Sequence, residues 1–369
     1  MHAIETMTPT LKEADRLMVV CNSCRYCEGL CAVFPAMEMR RSFTAGDLRY
    51  FANLCHGCGA CHADCQFSPP HEFNVNVPKV MAQLRVESYA HYAWPRAGAM
   101  LFERNGLAVV LALAIGVFAF IAGFVAFTHP DALFAIHTGP GAFYRLMPHN
   151  LMVAIFGAAF AFAIVAIGMG LRAFWREGAA AGARAYAKAG HDAATLRYLD
   201  GGGAGCGDAD APVKDRRRIF HHLTSYGFAL CFAATSVATA YHYALGIEAP
   251  YPWYDLPVLL GTLGGIGMLV GPVGLLLEKS KRDPATQDHE HRGMDVAFLA
   301  ILFLTSLTGL ALMVLRETPA MGLLLALHLG VVFALFVALP YSKFVHGLYR
   351  YMALARYARE RAAGHRVDA

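Results

Sequence analysis

The amino-acid sequence predicts a mainly α-helical chain in two parts, a Cys-rich module at the N-terminal end and a six-helix transmembrane bundle after it. Three observations carry this. Hydrophobic residues make up 57% of the 369 and charged residues only 16%, where soluble proteins carry about 25% charge. Eight of the ten Cys fall between positions 21 and 65, leaving Cys206 and Cys231 alone. The remainder holds six apolar runs of about 20 residues, the length a helix needs to cross about 30 Å of hydrocarbon. Disorder and a secreted disulfide scaffold are excluded, because apolar content is high and ten Cys are few for so long a chain. A net charge of +4 gives no reason to expect a nucleic-acid partner.

Residues 1–95 form the first part, polar and Cys-rich, and close on a Pro-bearing stretch. The opening MHAIETMTPTLKEADRLMVV has acids and no clean apolar core, so no secretory signal is read there and the N-terminal end is expected in the cytoplasm. The bundle, residues 96–350, has expected spans at 106–127, 151–171, 223–243, 256–277, 294–315 and 320–339. The segments that flank the spans on the N-terminal side of the membrane hold 22 Lys and Arg, whereas the opposite loops hold only Arg145 and Arg316. Basic residues stay inside, so both termini are expected in the cytoplasm, with 351–369 as a cytoplasmic tail and the host bilayer the cytoplasmic membrane. The Ala/Gly-rich connection 172–218 reads as partly flexible.

The segment CNSCRYCEGLC contributes Cys21, Cys24, Cys27 and Cys31, and CHGCGACHADC repeats the spacing with Cys55, Cys58, Cys61 and Cys65. Both read C-x2-C-x2-C-x3-C, the bacterial ferredoxin spacing for a [4Fe–4S] cluster, in which the fourth Cys reaches the other cluster. The first part is therefore a ferredoxin-like module for two clusters. One takes Cys21, Cys24, Cys27 and Cys65; the second takes Cys55, Cys58, Cys61 and Cys31. Pro35 and Pro69 come four residues after the fourth Cys instead of directly behind it. Zinc is the alternative occupant of paired CxxC motifs, but a doubled four-Cys run favours iron–sulfur. His56 and His62 read as neighbours of the second cluster, and Cys231 as a small core residue.

Ionisable residues inside a span are functional candidates. The third span carries His221, His222 and His242, and the last carries His328 and His346. A b-type haem between helices needs one His from each, at equal depth. His328 and His346 are 18 residues apart, about 27 Å along a straight helix, and return to one face. His221 and His242 are 21 apart, about 31 Å, with faces about 60° apart. The two spans run in opposite directions. The expected pairs are thus His221 with His346 for an inner haem and His242 with His328 for an outer one. His222 is the substitute for His221. His149, at the mouth of the second span, is the other candidate opposite His242, which would leave one haem. Small residues four apart in the fourth span (Gly261 and Gly265, Gly267 and Gly271) read as helix packing. Thr305, Ser306 and Thr308 read as back-bonded hydroxyls, with a quinone site as the other option.

The doubled Cys motif and six spans, with RIFHHLTSYGFALCFAATSVATAYHY, LPVLLGTLGGIGMLVGPVGLLL and LLALHLGVVFALFVALPYSKFVHGLYRY, resemble the TcuB/CitB family of tricarballylate-utilisation proteins, which includes the C-terminal half of CobZ. The last span is also similar to the final helix of the respiratory nitrate reductase gamma subunit, where two His each ligate a different haem; that likeness carries onto His328 and His346. The family resemblance implies an electron-transfer protein that reoxidises the FAD of a partner dehydrogenase (TcuA-like) and delivers electrons to membrane quinone. The implied cofactors are two [4Fe–4S] clusters and one or two haems b. No Gly-rich dinucleotide fingerprint follows a strand, so flavin is expected from the partner. A quinol-oxidising subunit feeding a cytoplasmic reductase, and a membrane redox sensor, are the other readings.

Overall fold

A computed structural model of the chain describes residues 7–178, 181–199 and 216–364. Helices are the only regular elements among the described residues. The module begins with α1 (Pro9–Cys24), which starts where the Thr8 side chain accepts from the Leu11 N–H and Pro9 takes the first turn. Such a start suits both residues, since the cap satisfies an orphan donor and Pro needs none. Next come α2 (Val33–Glu38), with Pro35 in its first turn, and α3 (Ala45–Leu54), entered through a capping box between Thr44 and Asp47. The short α4 (Ala60–Ala63) and then α5 (Val77–Tyr92) complete the module. Leu17, Met18, Phe34, Leu48, Phe51 and Met81 form its buried centre.

A short α6 (Met100–Glu103) leads into the bundle. Six helices are long and apolar enough to cross a membrane: α7 (Asn105–Phe127), α9 (His149–Arg176), α11 (Arg216–Ala240, continuing to Leu245), α12 (Leu256–Ser280), α13 (Arg292–Leu315) and α14 (Met321–Ala338) with its continuation. They include all six expected spans. The chain is thus a multi-pass membrane protein, and large apolar side chains such as Ile115, Phe118 and Leu263 stand exposed on the bundle surface, as a lipid-facing belt requires. The small α8 (Pro130–Leu133) lies in the loop at the end far from the module.

Helix α11 packs along α12, and α14 packs along α7 and α13. Gly264, Gly267 and Gly271 face α11 so closely that a Cβ on Gly264 would stand 2.7 Å from the Gly227 carbonyl oxygen. The expected packing role of these glycines holds, in a different register: Gly265 faces Leu310 of α13, and Gly261 only touches Ala234. Thr305 and Thr308 bond back to Ile301 and Leu304, while the Ser306 hydroxyl crosses to the Gly265 carbonyl at 2.6 Å. The sulfur of Cys231 packs against Gly264. Cys206 lies outside the described residues.

Two departures from the expected layout matter for the site. The last span is not one straight helix. A 3-10 turn at Leu339–Tyr341 and the extended Ser342 (φ −124°, ψ −178°) separate α14 from α15 (Val345–Ala363), because Pro340 has no N–H to continue the α-helical ladder. The residues from 351, expected as a cytoplasmic tail, are helical through Ala363, and Ala353, Leu354, Ala355 and Tyr357 are buried in the module's own core. The helix α10 (Ala183–Ala194), within the loop expected to be flexible, packs against α15. Arg40 bonds Glu360 at 2.6 Å and Tyr50 donates to the same carboxylate at 3.1 Å, fastening module to C-terminal helix.

Candidate functional site

Cys21 and Cys24 occupy the last turn of α1, and Arg25 at φ 56° turns the chain outward towards Cys27. Cys65 follows α4. These four line a cavity of about 220 Å³ together with Tyr26 and Gln66, and Cys61 forms part of the same wall. Cys31, Cys55, Cys58 and Cys61 line a second, tighter cavity of about 20 Å³. Its loop turns on Gly57 (φ 56°) and Gly59 (φ 94°), conformations that an L side chain rarely adopts. Cys61, Phe34 and Val77 line both cavities, so the two sites adjoin.

The described Cys are all free of disulfides. Burial, followed by the neighbouring thiolates, pushes Cys21 up to about 12 and Cys27 up to about 11, and burial raises Cys31 and Cys61 as well. Thiols so close can all ionise only around a positive core. No three His, Cys, Asp or Glu among the described residues form a group suited to one metal ion. Four thiolates around a void match an iron–sulfur cluster better than a lone zinc.

A larger cavity of about 380 Å³ lies where module meets bundle, lined by His56, His221, His346, Asp295, Lys343 and Phe298 among others. His56 also lines the second thiol cavity, so this one residue borders both spaces. The rings of His221 and His346 lie 6.1 Å apart with planes at 71°. A metal midway would be about 3 Å from each ring centre, the sum of an imidazole–metal bond of about 2 Å and roughly 1 Å to the ring nitrogen. His346 Nδ1 donates to the Lys343 carbonyl at 2.5 Å, which leaves Nε2 with its lone pair. The buried Nδ1 of His221 has no hydrogen-bond partner among the described residues. His222 is turned away: its Nε2 donates to the Ala194 carbonyl at 3.1 Å, beside the Tyr226 hydroxyl on the same oxygen. In the same cavity wall, Asp295 is held by Lys343 at 2.9 Å and by Lys279.

At the far end the arrangement differs. His242 stacks face to face on His149, 3.6 Å between ring centres and 21° between planes, with Tyr144 edge-on. His328 bonds the Thr308 hydroxyl through Nδ1 at 3.0 Å and packs over Gly309. The expected pair of His242 and His328 is therefore not brought together. Two features explain this: a π-helical turn at Tyr241–Leu245 shifts His242 from straight-helix register, and α14 packs on α7 and α13 instead of along α11. As they stand, the stacked His149 and His242 rings leave no gap between them for a metal.

Sequence reasoning did not foresee Arg85, Arg217, Arg282 and Arg350, which donate to backbone carbonyls of the second thiol loop. A signal existed, since Arg217 and Arg350 lie one helical turn from His221 and His346.

A helical iron–sulfur module fixed to one end of a six-helix bundle defines the class: a membrane-embedded ferredoxin-like protein. The chain belongs to the Citrate utilization protein B family, whose sequence pattern matches residues 100–366. Residues 14–91 match the Citrate utilization protein B Fer4-like domain, which makes the module an iron–sulfur domain. A relative from Escherichia coli, named Citrate utilization protein B, is 50% identical over 365 residues, covering 97% of this chain and 94% of its own. No solved structure matches.

Proposed function

We propose that this protein reoxidises the reduced FAD of a partner dehydrogenase in citrate or tricarballylate utilisation and passes the electrons to membrane quinone. The observation that carries the reading is His56, which borders both the second thiol cavity and the cavity holding the His221–His346 pair. Cys21, Cys24, Cys27 and Cys65 hold one [4Fe–4S] cluster, and Cys31, Cys55, Cys58 and Cys61 hold the other. His221 and His346 ligate one haem b. When bound, these groups supply one-electron carriers between a two-electron flavin and a two-electron quinone. The His346 ring is kept as a ligand through its Nδ1 hydrogen bond. The module faces the cytoplasm and the bundle sits in the cytoplasmic membrane, as the excess of Lys and Arg on the module side favours.

The test is spectroscopic. Membranes containing the protein, given reduced flavoprotein, should show reduction of a b-type haem, reversed by added quinone. Purified protein should carry iron and acid-labile sulfide for two cubes and one haem per polypeptide. Absence of haem overturns the His221–His346 assignment. Haem reduction by quinol but not by the flavoprotein reverses the direction of flow.

A further inference from the structure

Four arginines, three from separate helices and one from the turn after α12, converge on the loop that carries Cys55 and Cys58. Arg85 of α5 donates through Nε to the Ala52 carbonyl at 2.8 Å and through Nη2 to that of Cys55. Arg350 of α15 donates to the carbonyls of Asn53 (3.3 Å) and Cys55 (2.9 Å). Arg217 of α11 donates to the His56 carbonyl at 3.0 Å, and Arg282, just beyond α12, to that of Cys58 at 3.4 Å. The hydrogen bonds described for Arg85, Arg282 and Arg350 all go to backbone carbonyls, so their charge is not spent on a carboxylate. The first thiol site is set differently. Asp64 lines its cavity, the polar side chain at Cys24 Sγ is the neutral Gln66 at 4.0 Å, and Arg25 is exposed.

A cluster gains one negative charge on reduction, and its potential responds to net charge, hydrogen bonding and exposure. Burial of the second site disfavours that added charge; guanidinium groups within a few ångströms of its loop favour it, most strongly where water does not screen them. We propose that Arg85, Arg217, Arg282 and Arg350 are positioning residues that raise the reduction potential of the Cys31/Cys55/Cys58/Cys61 centre, making it the electron exit towards His221 and His346. One electron leaves the reduced first centre and reduces the second; no bond forms or breaks, no proton moves, and the flavin of the proposed partner supplies the electron. Arg217 and Arg350 lie on the two helices that carry the His pair, so the same side chains fix the spacing of loop and rings.

The inference rests on the proposed function. Its test uses the full-length protein, reduced stepwise and followed by paramagnetic resonance, with iron and sulfide measured in each sample. The signal of the second centre is the one lost in Cys58→Ser. Arg350→Gln and Arg217→Gln should move the midpoint of that signal to more negative potential and leave the other in place, and Arg350→Lys should restore it. Should a Gln variant lose iron, Arg282→Gln, whose contact is the longest, provides the same reading. Unchanged midpoints at full iron content, or a shift in the signal that survives Cys58→Ser, overturn the inference. Wild-type protein without cluster signals overturns the proposed function instead.

Discussion

The two ends of the bundle each bring together a pair of His from different spans, and they do so in opposite ways. At the module end His221 and His346 stand 6.1 Å apart beside a cavity of about 380 Å³. At the far end His149 and His242 lie flat on each other at 3.6 Å, closed in by Tyr144 and Tyr243. A His at a helix end is therefore not a site by itself. The near pair differs in three features: a cavity beside it, a carbonyl that fixes the His346 tautomer, and a thiol loop that borders the same cavity.

The comparison can be broken most directly by removing one ring from each end. His346→Ala should abolish the b-type absorbance of purified protein, whereas His242→Ala should leave it in place; the reverse result would move the haem to the far end. A smaller effect concerns how the near end is fastened. Glu360 is buried and paired with Arg40 and Arg356. Glu360→Gln removes one of the two carboxylates in this network, while Asp47 still pairs with Arg40 and Arg356, and should cost about 1.5–3 kcal/mol, seen as a lower unfolding temperature, with no matching loss for substitutions among the far-end loops. The smallest effect depends on pH. The Asp288 carboxylate accepts from His291 at 2.7 Å at the rim of the near cavity, and this hydrogen bond raises His291 above its usual value. The folded-state value exceeds the unfolded one of about 6.5, so the stabilisation is complete below that pH and fades as pH rises through the folded value. Asp288→Asn keeps the turn but loses the charge, so its stability deficit against wild type should be largest in mild acid and vanish in mild base.

The class of fold was legible because its signals are local. Cys spacing grouped the thiols around the same two cavities that the fold forms, and run length marked the six spans. The near His pair was also legible, since equal depth on antiparallel helices needs only residue counting from the membrane edge. Counting failed at the far end, where it assumed straight helices. A π-helical turn at Tyr241–Leu245 and the break at Pro340 both change the register that 100° per residue assumes. The fate of α15 was hidden for another reason. Its Val345, Tyr349, Ala353 and Tyr357 form an apolar stripe four residues apart, but a stripe says only that something covers it. The partner is the first part of the chain, and nothing local to 345–363 names it.

The break after α14 lets the end of the chain complete the core of its beginning. Arg40 and Glu360 meet across 320 residues of sequence. At about 5–20 residues per second, roughly 15–60 s of synthesis separate the two partners. Until then the surface that α15 covers stays bare, and every span must be made before it closes.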